Sequence, residues 1–200
     1  FDLNSSCQVT DMTLASTVAD PAGTGISGLI RGRNLGTLRN LRLYVASATT
    51  SVLRAGISWT GSAASSEPVQ MDNVHVSVLS KTGSAAPSVG LLFAGSTYAG
   101  LSNIYINGGD IGISSDRSFV FGSNVQLRSW AVSGWKHTNS TGASGGGRVV
   151  LTNAEIVGDG TAAQIGMDLG WYTHQISNTF IDGSSVTFGA VGIRQQQAVG

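Results

Sequence analysis

Seven times along the chain an asparagine or aspartate stands inside one short pattern: apolar, any residue, Asn, apolar, any residue, apolar. The clearest copies are Leu38-Arg39-Asn40-Leu41-Arg42-Leu43, Met71-Asp72-Asn73-Val74-His75-Val76 and Leu101-Ser102-Asn103-Ile104-Tyr105-Ile106. Weaker copies centre on Asn124, Asn153 and Asn178, and Asp11 holds the same place in Val9-Thr10-Asp11-Met12-Thr13-Leu14. Successive steps are 29, 33, 30, 21, 29 and 25 residues. Between copies comes a glycine followed by a large apolar residue: Gly25-Ile26, Gly56-Ile57, Gly90-Leu91, Gly112-Ile113, Gly134-Trp135, Gly166-Met167 and Gly192-Ile193. Strict alternation of two independent markers is the signature of a repeat architecture.

Around both markers apolar residues recur every second position, β-branched residues are enriched, and no stretch has helical periodicity. The chain therefore predicts an all-β fold of short strands, a single-stranded parallel β-helix of about seven coils. Each coil pairs with the next at about 4.8 Å, and right-handed winding is expected from the general hand of parallel crossovers. Asparagine at a bend can adopt the left-handed conformation and hydrogen-bond locally. Stacked corners would then form an internal ladder of amides.

Apolar residues at 41% suffice for a continuous core, while charged residues at 11% are about half the ordinary share and 28 glycines about twice it. Cationic and acidic residues balance at 11 each, which leaves no overall field to recruit nucleic acid and makes a glycan-like partner the better fit. No run of 18 apolar residues offers membrane insertion. The lone Cys7 reads as a small core residue. Residues 1–200 read as one β-helix segment truncated at both ends, part of a longer chain.

The asparagine corners, the Gly-apolar strands and the long Ser/Gly/Ala stretches resemble the pectate-lyase-like right-handed β-helix superfamily, and within it the β-helical trunk of a bacteriophage tailspike or tail fibre. The resemblance implies three strands per coil. The Asn segment would be the second strand, the residues after Asn the third, and the Gly-apolar segment the first of the next coil. It also implies a homotrimer in the virion tail, bound to other tail proteins and to a bacterial surface polysaccharide; a secreted protein is the alternative. The loop from His137 to Arg148 would be the longest excursion.

Residues two apart on a strand share a face, so outward columns can be read by aligning the coils. Two residues beyond the marker glycine stand Ser58, Leu92, Ser114, Lys136, Asp168 and Arg194, ending in a cation, carboxylate, cation stack. Such a carboxylate stays ionised and suits the binding or deprotonation of a uronic acid, or else forms a plain salt-bridge ladder. Two residues beyond each Asn stand Thr13, Arg42, His75, Tyr105, Gln126, Glu155 and Phe180, a mixture suited to cradling a sugar chain or to a subunit contact. Trp135, after a marker glycine, should point into the core. Trp130, Trp171, Tyr172 and His174 read as loop residues that could stack on a ligand.

As glycosidase acid and nucleophile or base, the candidates are Asp110, Asp116, Glu155 and Asp168. The paired-aspartate and Gly-His-Gly motifs of polygalacturonases and the Arg-rich signature of pectate lyases are absent, so the resemblance transfers no catalytic residue. No cofactor and no metal is expected, because His75, His137 and His174 lie in no ligating spacing. Gly23-Thr24-Gly25-Ile26-Ser27-Gly28 matches a dinucleotide fingerprint without the required helix, and the solenoid explains it better. Three readings stand: a tailspike segment that recognises a host polysaccharide with or without cleaving it, a non-enzymatic shaft or adhesin, and a stand-alone polysaccharide lyase or hydrolase.

Overall fold

The structure, a computed structural model, describes residues 2–3, 7–16, 27–33, 35–45, 54–61, 68–79, 87–95, 97–139, 147–160, 164–170, 173–182 and 191–195. All their regular elements are strands. They are β1 (Asp2–Leu3), β2 (Cys7–Ser16), β3 (Ser27–Arg33), β4 (Gly36–Val45), β5 (Arg54–Thr60), β6 (Val69–Val78), β7 (Val89–Ala94), β8 (Tyr98–Gly108), β9 (Ile111–Asp116), β10 (Phe119–Trp130), β11 (Ser133–Thr138), β12 (Arg148–Gly158), β13 (Ile165–Leu169), β14 (Gln175–Asp182) and β15 (Val191–Gln195). Odd-numbered strands stack in one eight-stranded sheet and even-numbered strands in a second of seven. Every pairing is parallel. Each strand thus pairs with the strands two before and two after it, which makes a solenoid wound from one chain.

The solenoid has about five turns, fewer than the seven expected. The last strands are the least covered: β14 mixes exposed and half-buried residues, and residues 192–195 of β15 are exposed. A second difference concerns the corner. The segments before and after each asparagine run on as one strand of 8 to 12 residues, so a coil has two strands rather than three. One left-handed residue turns the strand, and pairing resumes immediately: Thr10 pairs with Arg39 and Met12 with Leu41.

All seven corner residues have φ between 44° and 56°. Their ladder is external, a correction to the internal one expected. Leu38 and Leu41 point inward with Arg39 and Asn40 between them facing solvent, because a left-handed residue at a convex corner throws its side chain outward. Asn40 donates to Asp11 Oδ1 at 2.8 Å, Asn73 to Asn40 Oδ1 at 2.9 Å and Asn124 to Asn103 Oδ1 at 3.2 Å; Asn178 donates to Asn153. Asn103 departs from the ladder and donates to Asp72 at 3.0 Å, an oxygen that also accepts from the Ser102 hydroxyl at 2.7 Å.

The marker glycines are needed for close approach. At Gly90, Gly112, Gly134 and Gly166 an added Cβ would lie 2.5–2.7 Å from the carbonyl oxygen of the next marker glycine. The predicted first marker, Gly25-Ile26, lies outside the described residues. Ile30 pairs with Ile57, so Leu29-Ile30 occupies that position in β3.

Behind the markers, Ile30, Ile57, Leu91, Ile113, Trp135 and Met167 form one fully buried row. Trp135 is core, as expected, and Cys7 packs at the edge of the core, which raises its thiol pKa by burial. Each such aliphatic side chain contributes about 1.5–3 kcal/mol of burial.

Candidate functional site

Pairing confirms that the first outward column is a real row: Ser58, Leu92, Ser114, Lys136, Asp168 and Arg194 stand opposite one another on β5, β7, β9, β11, β13 and β15. Arg194 grips Asp168 with both arms of its guanidinium, at 3.0 and 2.6 Å, and the Asp168 side chain is only 4% exposed. At the middle of the row Ser58 and Leu92 are buried, Leu92 within a small apolar cluster with Ala55, Val89 and Ile111. The row extends backward to Arg31 and Asp2.

Asp116 shares this face. Its carboxylate accepts from Thr138 Oγ1 at 3.1 Å and pairs with Arg117 at 3.3 Å. Two strands and two residues separate it from Asp168, about 12 Å between Cα atoms by strand geometry.

Asp110 is 1% exposed. Its Oδ2 accepts the Ser88 backbone N–H at 2.8 Å and hydroxyl at 3.0 Å, and its backbone carbonyl accepts the N–H groups of Val132 and Ser133. It ties turns of adjacent coils together and is buried, whereas its reading as a catalytic candidate expects an accessible carboxylate.

On the other sheet, the second outward column is unbroken: Thr13, Arg42, His75, Tyr105, Gln126, Glu155 and Phe180 stand in register across β2, β4, β6, β8, β10, β12 and β14. His75 and Tyr105 rings tilt against each other with centroids 5.5 Å apart, and Phe180 is 59% exposed. Glu155 pairs with Arg128 at 2.6 Å. Successive side chains thus present rings, a guanidinium and amide or carboxylate oxygens at about 4.8 Å intervals.

Trp130 is a further correction. It is the last residue of β10 and 1% exposed, because Ser129 takes a positive φ of 57° and the resulting bulge swings the indole inward. It cannot stack on a ligand there. Trp171, Tyr172 and residues 140–146 of the expected long loop lie outside the described residues, while His137 and Thr138 close β11 and Arg148 opens β12.

His174 is half-buried. Its Nδ1 accepts the Val149 backbone N–H at 3.2 Å, and its Nε2 meets the Gly170 carbonyl at 3.0 Å, so the Nε2–H tautomer satisfies both. His137 packs edge-on at 5.2 Å. It is fully buried, and its Nδ1 hydrogen-bonds Ser115 Oγ at 2.8 Å, which accepts from Trp135 Nε1 at 3.2 Å. Burial, and then the neighbouring His174, push the His137 pKa down to about 4.

Sequence reasoning missed an aromatic group before the asparagine corner. Tyr98 and Phe119 stack in register, centroids 4.8 Å apart and planes within 6°, with Arg148 next in the row. Phe121, half exposed, stands two residues along. Arg148 donates to Gln175 at 3.0 Å. Reading the column five residues before each asparagine would have found Tyr98, Phe119 and Arg148.

No protein-family model, curated protein or solved structure matches this chain.

Proposed function

We propose that this chain is a polysaccharide-recognition segment of a bacteriophage tailspike or tail fibre, acting in the virion tail as a homotrimer and bound to other tail proteins. The observation that carries the reading is the unbroken outward column from Arg42 through His75, Tyr105, Gln126 and Glu155 to Phe180. Rings pack on the apolar faces of pyranoses, and the interleaved polar groups supply hydrogen bonds to hydroxyls. The row follows the solenoid axis, so it suits an extended chain rather than a compact ligand. The assigned role is binding, because each carboxylate candidate is engaged: Asp110 with backbone and Ser88, Asp116 with Thr138 and Arg117, Glu155 with Arg128, Asp168 with Arg194.

A non-enzymatic shaft is favoured by a different observation: Asp2–Arg31, Arg128–Glu155 and Asp168–Arg194 all link adjacent coils and would stiffen a spacer. Incubation with capsule and lipopolysaccharide from a panel of bacteria separates the readings. Retention on one or a few polysaccharides without new reducing ends is expected. Retention on none would leave the shaft, and reducing ends with absorbance at 235 nm would indicate a lyase and return attention to Lys136, Asp168 and Arg194.

A further inference from the structure

A groove with a volume of about 230 Å³ opens on the outer face of the odd-numbered sheet, at the end opposite the Lys136–Asp168–Arg194 stack. Asp2, Leu3, Arg31, Arg33, Ser58 and Thr60 line it, with Gly32 between the two arginines. Strand alternation sends Arg31 and Arg33 to the same outer face, and pairing sets Ser58 opposite Arg31 and Thr60 opposite Arg33. Two guanidiniums and two hydroxyls therefore form the corners of one patch, about 4.8 Å across the strands. Asp2 holds Arg31 through two contacts, Nε to Oδ1 at 2.6 Å and Nη2 to Oδ2 at 2.7 Å, which fixes the plane of that guanidinium.

Arg33 is exposed and has no ion pair among the described residues. Among the described lining residues the patch carries two cations and one carboxylate, with Asp2 bonded to Arg31 and only electrostatically coupled to Arg33. Arg33 presents a planar fork of donors, the geometry that fits a carboxylate. The volume is below the roughly 300–1,000 Å³ of sites for drug-sized ligands, and so suits one sugar residue.

We propose that this groove binds the carboxylate of an acidic sugar, with Arg33 as the anion-binding residue, Arg31 as a second cation fixed by Asp2, and Ser58 and Thr60 as hydroxyl contacts. The sugar rests on the polysaccharide reading above; the anion rests on the groove alone. The groove and the Tyr105 column lie on different sheets, so the two claims fail separately.

The test titrates the 200-residue chain with methyl glucuronide, methyl glucoside and inorganic phosphate, each followed by protein chemical shifts. Glucuronide should shift groove resonances, and glucoside should not. Arg33→Gln should weaken glucuronide by about tenfold or more, with Arg33→Lys in between and the circular dichroism of all three proteins unchanged. Absence of glucuronide binding, equal binding by Arg33→Gln, or phosphate binding as tightly as glucuronide would each overturn the proposal. In every case, neutral-polysaccharide binding through the Tyr105 column should be untouched by Arg33→Gln; its separate loss in the wild-type protein would count against the recognition reading instead.

Discussion

At the corners the chain holds residues with a Cβ in the left-handed region, which costs an ordinary residue about 1–2 kcal/mol. Asparagine reduces that cost through local hydrogen bonding and adds a contact to the next coil, as Asn124 does with Asn103. Asn124→Ala is therefore expected to destabilise the protein by about 1–2 kcal/mol in urea denaturation, and Asn124→Gly by less, because glycine adopts the backbone freely. His137 makes a different residue-scale prediction. Its folded pKa of about 4 lies below the ordinary 6.5, so between these values the unfolded chain binds a proton that the folded chain excludes. Stability is complete above pH 6.5 and falls as the pH drops toward 4. The His137 contribution to the loss between pH 7 and pH 5 should be about 2 kcal/mol, measured as the shift in the urea midpoint, and His137→Phe should reduce the slope to what remains from His174, which burial also holds below its ordinary value.

At the scale of the element, the glycine before each apolar core residue lets two odd-numbered strands approach. Gly112→Ala would place a methyl 2.6 Å from the Gly134 carbonyl oxygen and should cost about 2–3 kcal/mol. Among the described residues nothing lies within 4 Å of a Cβ placed at Gly192, and Gly192→Ala should stay within about 0.5 kcal/mol by the same measurement. Both markers were legible in the sequence because each satisfies a backbone constraint that few residues can meet, and such constraints repeat with the coil. Outward columns followed from them, which is why Lys136, Asp168 and Arg194, and likewise His75 and Tyr105, stand in the rows read from spacing. Trp130 and Asp110 were misread because a bulge at Ser129 and the stacking of turns are local events that no period announces. Leu29 in the place of a glycine shows the same limit, since the first coil's register was set by strand pairing and not by the marker.

Across the whole molecule, the solenoid separates its outward chemistry by sheet. The odd-numbered sheet carries the Asp2–Arg31 and Asp168–Arg194 pairs and the arginine groove, while the even-numbered sheet carries the ring-bearing column with its Arg128–Glu155 pair and, across the asparagine corner, the Tyr98–Phe119 stack. A polysaccharide lying along the even-numbered sheet would contact successive coils at one equivalent position each, so affinity should rise with oligosaccharide length until the column is covered. The proposed recognition surface is this column, and the equilibrium affinity of the bound polysaccharide for Tyr105→Ala and Phe180→Ala, with Gly192→Ala as control, tests it. A drop of about tenfold for each aromatic variant, with the control unchanged, is the predicted result; wild-type affinity in both aromatic variants would contradict it.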